Sequence, residues 1–168
     1  KMHKWMAMVG NMWGFSGPEF LPNSRRTLAL GLGASARNFN DLAVPGLGGV
    51  WFGKAVMLAT LGVLVAEEAR KKDKSFQNIE VANAIEALAC LLAFEGNGWA
   101  SDPRLRGSTK LDKISSKHFP FVSASQRKNY VTQPMRMSTV QTLPAFGLVN
   151  TESARFNAFR ISDAGKEF

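Results

Sequence analysis

Residues 132–168 read TQPMRMSTVQTLPAFGLVNTESARFNAFRISDAGKEF, and their local signals decide the fold. Thr132 offers a capping oxygen, and Pro134 falls in a first helical turn, where its missing N–H costs nothing. Met135, Met137, Val140, Gln141 and Leu143 carry a helix toward Phe146, and Gly147 stops it. Leu148-Val149 leads into a polar turn from Asn150 to Ala154. Arg155 to Ile161 then alternates apolar and polar residues as a strand does. Ser162 is the natural cap of a closing helix that begins Asp163-Ala164-Gly165-Lys166. The order is helix, two-stranded hairpin, helix.

That order resembles a winged helix-turn-helix. In that family the recognition helix closes on a leucine followed, four residues on, by a Gly-Leu-Val phrase. A two-stranded wing follows, and the next helix opens on an apolar residue, a hydroxyl cap and a Gly-Lys pair. Leu143 to Val149 and Ile161 to Phe168 match these phrases. The resemblance covers about a quarter of the chain, and it implies DNA binding. One position departs from the pattern: Pro144 removes a helical hydrogen bond and predicts a kink, or a helix end near Leu143.

The physical chemistry of the same residues points the same way. A helix with Gln133, Arg136, Ser138, Thr139 and Gln141 on its polar face offers donors and acceptors to base edges and phosphates. Arg127 and Lys128 precede it. Arg155 and Arg160 lie in the wing, placed to reach phosphates. Met135, Met137, Val140 and Leu143 are expected to hold the other face to the core.

The charge balance agrees with this placement. The chain of 168 residues has 21 Lys and Arg against 13 Asp and Glu, a formal +8. Residues 1–100 carry ten basic and eight acidic side chains, a balance of +2; residues 101–168 carry eleven and five, a balance of +6. A polyanionic partner is therefore expected at the C-terminal part.

Outward from that unit, Trp99 to Phe121 reads as a basic loop, and residues 101–122 as a linker. Val50 to Lys72 and Ile79 to Phe94 read as two helices with apolar residues three and four apart, joined by Lys72-Asp73-Lys74-Ser75. They are expected to pack as an antiparallel pair with Leu58 and Leu88 buried on facing sides. Residues 31–36, Gly-Leu-Gly-Ala-Ser-Ala, formally match a dinucleotide-binding glycine pattern. Neither an amphipathic helix nor a later acidic residue supports it, so a flexible turn is expected. Residues 1–26 are broken by Gly and Pro but dense in Trp, Met and Phe. Trp5, Trp13 and Phe15 are expected to be buried in this chain or by a partner.

Little here suggests catalysis. Cys90, the one cysteine, lies in an apolar helical run and reads as core. His3 and His118 stand in no metal-ligand spacing, and the carboxylates form no acid–base pair. No metal and no cofactor is expected. The longest apolar run, Ala55 to Ala66, is about a dozen residues, short of the roughly twenty that span a bilayer.

The expectation is thus a mainly α (α+β) protein. Residues 1–100 are expected to form a helical domain with an aromatic-rich N-terminal segment, and residues 123–168 a winged-helix unit, with truncation of a longer chain as a further expectation. The expected activity is non-enzymatic DNA binding in the cytoplasm, by a regulator or a DNA-engaging subunit of a larger prokaryotic complex such as a defence or mobile-element system. The alternative is a structural subunit that uses the winged helix and the aromatic N-terminus to contact other protein subunits or its own copies.

Overall fold

Small residues bring the two long helices together. In the computed structural model, which describes residues 31–115 and 118–168, α1 spans Leu32–Ala43, α2 spans Lys54–Arg70 and α3 spans Asn78–Gly96. Ala55, Ala59, Gly62 and Ala66 recur along one side of α2 and are all buried. A Cβ placed on Gly62 would lie 2.5 Å from the Cβ of Ala82 on α3. At so close a crossing the larger side chains are turned out of the seam. Leu58 is half-buried, and Leu88 is 43% exposed instead of buried on the facing helix as expected.

The crossing makes a prediction. Gly62→Val should cost about 1–3 kcal/mol by overpacking, whereas Leu88→Ala should cost under about 1 kcal/mol because its site is already open to water. Urea unfolding of both variants checks this. A neutral Gly62→Val would mean that the helices do not meet there.

The core has two clusters, and both draw on the helix pair and the C-terminal residues together. One joins Ala87, Cys90, Leu91 and Phe94 of α3 to Leu111, Ala124, Tyr130, Val131 and Met135. The other joins Val56, Ala59, Val63 and Ala82 to Leu143, Leu148, Val149, Phe156, Phe159 and Ile161. Residues 33–168 accordingly form one compact unit. The stretch expected as a linker, 101–122, is part of it: α4 (Ser108–Leu111) places Leu111 wholly inside. Gly107, at φ +89°, lies against the Tyr130 carbonyl, where a Cβ would come within 2.5 Å. Cys90 is buried as a core residue, and burial pushes its thiol up to about 11.

The glycine stretch is helical. After Gly31, at φ +71°, α1 runs from Leu32 through the residues expected as a turn and ends two residues before Pro45. Ala34, Ala36 and Arg37 favour helix. No residue of α1 is buried, and Leu32, Phe39 and Leu42 are exposed. The Trp- and Met-rich segment, with Trp5, Trp13 and Phe15, lies outside the described residues.

The C-terminal elements keep the expected order but not the expected lengths. α5 covers Phe121–Ala124 and a 3-10 turn covers Arg127–Asn129. The helix expected from Pro134 to Phe146 is a 3-10 turn at Met135–Thr139 followed by α6 at Thr142–Ala145. Ser138 and Thr139 donate their hydroxyls to the carbonyls of Met135 and Arg136, three residues back, at 2.7 and 2.8 Å. Such local bonds compete with the helical ladder. Pro144 is tolerated because it sits in the first turn of the short α6, where no N–H is required.

β1 (Val149–Asn150) pairs antiparallel with β2 (Arg160–Ile161), Val149 opposite Ile161. The strand expected from residue 155 is shorter because Phe156–Ala158 forms a 3-10 turn. Phe156 and Phe159 are both buried, a spacing of three that a strand cannot provide on one face. Asn78 holds this turn, donating its Nδ2 to the carbonyls of Phe156 and Phe159 at 3.0 and 2.9 Å. α7 (Asp163–Glu167) starts as expected, with the Ser162 hydroxyl accepting from the Gly165 N–H at 3.0 Å.

Candidate nucleic-acid interface

The nine residues expected to meet DNA divide into an exposed set and a buried one. Arg127, Lys128, Gln133, Gln141, Arg155 and Arg160 are exposed, and Ser138 is half-buried. Arg136 and Thr139 are buried, at 8% and 0% exposure. The expectation that Arg136 lies on an outward recognition face is therefore corrected.

The cause is a polar network under the 3-10 turn. Glu86 of α3, itself 2% exposed, receives the backbone N–H of Met135 at 2.8 Å and that of Arg136 at 3.1 Å, one on each carboxylate oxygen. A carboxylate from a distant helix thus serves the free amides at the start of the turn. The Arg136 side chain is drawn in the same direction. Its Nε donates to Oδ1 of Asn83 at 2.7 Å, and its guanidinium lies over the Phe156 ring, 5.5 Å from the centroid. Asn83 in turn donates Nδ2 to the Ser125 carbonyl at 2.8 Å. Burial pushes the Glu86 carboxyl above its ordinary range, against the two amides and the Arg136 charge. Burial, and then the Glu86 charge, push the Tyr130 hydroxyl up as well.

In sequence, Glu86 is one acidic residue within the helix expected from Ile79 to Phe94. Nothing in its spacing marked it as the acceptor for a turn fifty positions on. The available signal was weaker: an acidic side chain flanked by Ile85 and Ala87 in a helix apolar nearly all round.

The exposed cations are differently placed. Arg127 precedes the network and donates to the Thr132 carbonyl at 3.3 Å. Lys128 is adjacent, and its carbonyl accepts from Lys110 Nζ at 2.6 Å, which brings a further cation to the same corner. Arg160 is on β2, and Arg155 precedes the turn that leads into it. None of Arg127, Lys128, Arg155 and Arg160 is in an ion pair with a described residue. Their charges are uncompensated locally, as phosphate contacts require.

The face around Ser138 and Gln141 is a shallow cleft with a volume of about 410 Å³, whose walls include Asp41, Gly46, Gly49, Met137 and Ala154. Gly46, at φ +78°, packs on Gln141 so closely that a Cβ would lie 2.8 Å from that of Gln141. Gln141 therefore opens a cleft edged by the glycine loop and does not stand on a free helix face.

Among the described residues no group of three or more His, Cys, Asp or Glu side chains could hold a metal ion. No helix among them is long and apolar enough to cross a membrane. Comparison with family models, with curated proteins and with solved structures gives no match for this chain.

Proposed function

We propose that the protein binds DNA without catalysing a reaction, through a winged-helix-like C-terminal surface. The observation that carries this reading is the exposed set Arg127, Lys128, Arg155 and Arg160, in no ion pair among the described residues, around a helix–hairpin–helix order that ends in a Ser162-capped helix. These four side chains supply phosphate contacts, which fix position but read no sequence. Gln133 and Gln141 are the exposed amides left to read base edges. Arg136 takes no part, since its side chain is committed to Asn83. The work suits a regulator or a DNA-engaging subunit of a larger prokaryotic assembly.

The test is affinity for specific and scrambled duplexes at several salt concentrations. Arg155→Ala should weaken binding equally on all sequences and lower the salt slope by about one. Gln141→Ala should shift preference among sites by about 1–3 kcal/mol. If the variant lacking all four cations binds as tightly as the parent, this surface is not a DNA site.

A second reading, a structural subunit that docks other chains, has its own support in the exposed apolar residues of α2 and α3. It predicts little DNA binding at physiological salt.

A further inference from the structure

The outer face of α2 has a symmetry of its own. Lys54, Met57, Leu61, Val65 and Glu68 form one ridge, at spacings of three and four, and all are exposed. Leu61 is its centre. Met57 and Val65 lie four residues to either side, and Lys54 and Glu68 seven residues to either side. A ridge with this arrangement is complementary to itself when two copies run antiparallel across Leu61. Met57 then faces Val65, and the positive end faces the negative end.

Three further observations fit a second copy on this ridge. Lys54 is in no ion pair among the described residues, and Glu68, whose charge also acts on Lys166, is paired with Lys71 at 2.6 Å, both side chains exposed. Beside Val65 lies an apolar groove of about 460 Å³, walled by Ile85, Leu88, Phe119 and Phe121, with no charged residue in its lining. Phe76 closes one end, edge-on to Phe121 with ring centroids 5.4 Å apart. Finally, Leu61, Val65, Leu88, Leu92, Met57 and Phe121 are each between 39% and 51% exposed. Together they expose an area on the order of half the roughly 800 Å² that one partner gives to a standard interface. That is within the size of the largest patch on an ordinary monomer, a patch that often marks a contact surface.

We infer that the protein is a homodimer in which the α2 helices cross antiparallel at Leu61, each Met57 entering the apolar groove beside the other copy's Val65. Methionine suits this part, being unbranched and able to fit an irregular hole. The two Lys54–Glu68 pairs at the rim set orientation and register more than affinity. Because the ridge carries one positive and one negative end and no net charge, two chains of formal charge +8 can meet on it. The interface leaves the cations of the C-terminal surface out of account, so it does not depend on DNA binding.

Sedimentation equilibrium of the 168-residue chain, from low to high micromolar, tests this. The parent should be a dimer. Leu61→Arg should be a monomer with unchanged circular dichroism, since residue 61 is exposed and its replacement leaves the core intact. Lys54→Glu should raise the dimer dissociation constant about three- to tenfold by setting two like charges opposite Glu68. Adding Glu68→Lys to Lys54→Glu should restore it, which no general loss of stability would do. A monomeric parent, a Leu61→Arg variant that still dimerises, or a double charge swap that fails to recover affinity would each overturn the proposal.

Discussion

Glu86→Ala is expected to destabilise the protein by about 3–5 kcal/mol, the range for removing one partner from a buried charged network. The reason lies in what is left behind. Two amides, those of Met135 and Arg136, lose the acceptor they have among the described residues, and each unsatisfied buried donor costs about 1–3 kcal/mol. The guanidinium of Arg136 keeps Asn83 but loses the carboxylate that offsets its charge. Glu86→Gln should cost less, yet not nothing. Both carboxylate oxygens accept, and an amide would turn its NH₂ toward one of the two N–H donors. The two variants also differ from the parent in pH dependence. Burial raises the Glu86 carboxyl above its unfolded value, so its stabilising contribution is full below that unfolded value and is lost as pH rises through the folded one. Glu86→Gln should flatten this part of the pH–stability curve. Urea midpoints across pH measure both effects, and an alanine variant within about 1 kcal/mol of the parent at every pH would refute the network.

Signals along one stretch of chain were legible in the sequence. The two long helices are where their periodicity places them, because alternation of apolar and polar residues every three or four positions needs only neighbours along the helix. Ser162 caps its helix because a hydroxyl before an Asp-x-Gly turn has few other uses. Gly147, at φ +69°, ends α6 as expected. Signals that depend on distant partners were not legible. The broken helix at 135–146 reflects Glu86, fifty residues away, and two hydroxyls that bond backward. The shortened strand at 155–161 reflects Asn78, which claims two carbonyls from about eighty residues away. Leu88 read as core because pattern alone cannot show that Gly62 and Ala82 draw the helices too close for a leucine between them.

The candidate site divides along the same line. Arg155 and Arg160 are exposed because the 3-10 turn and short strand around them bury Phe156, Phe159 and Ile161, which leaves the arginines outside. Arg136 read as their equal, since a basic residue on a polar stripe is normally solvated. Only the position of Asn83 and Phe156 reveals that it is held inward.

Phe159→Ala should be nearly as costly as loss of Glu86, about 3–5 kcal/mol, and it tests how the hairpin is joined to the helices. Phe159 is wholly buried and shares its cluster with Val56, Ala59 and Val63 of α2. Its ring lies 5.2 Å from that of Phe156, tilted by 46°, so truncation opens a cavity with an aromatic wall. Its carbonyl accepts from Asn78 at the start of α3, whose next amide, that of Ile79, donates to Asn157 Oδ1 at 2.9 Å. The hairpin therefore completes the N-terminus of a helix as well as the core. Unfolding of the parent should be a single transition, the same by far-ultraviolet circular dichroism as by tryptophan fluorescence. In Phe159→Ala both signals should move together, and amide exchange should quicken at Leu91 in α3 as well as at Ile161 in β2. Were the hairpin a separately folded attachment, exchange would rise at Ile161 alone while Leu91 and the main transition stayed unchanged. That outcome would detach the cationic hairpin from the helix pair and leave the proposed DNA surface without a rigid base.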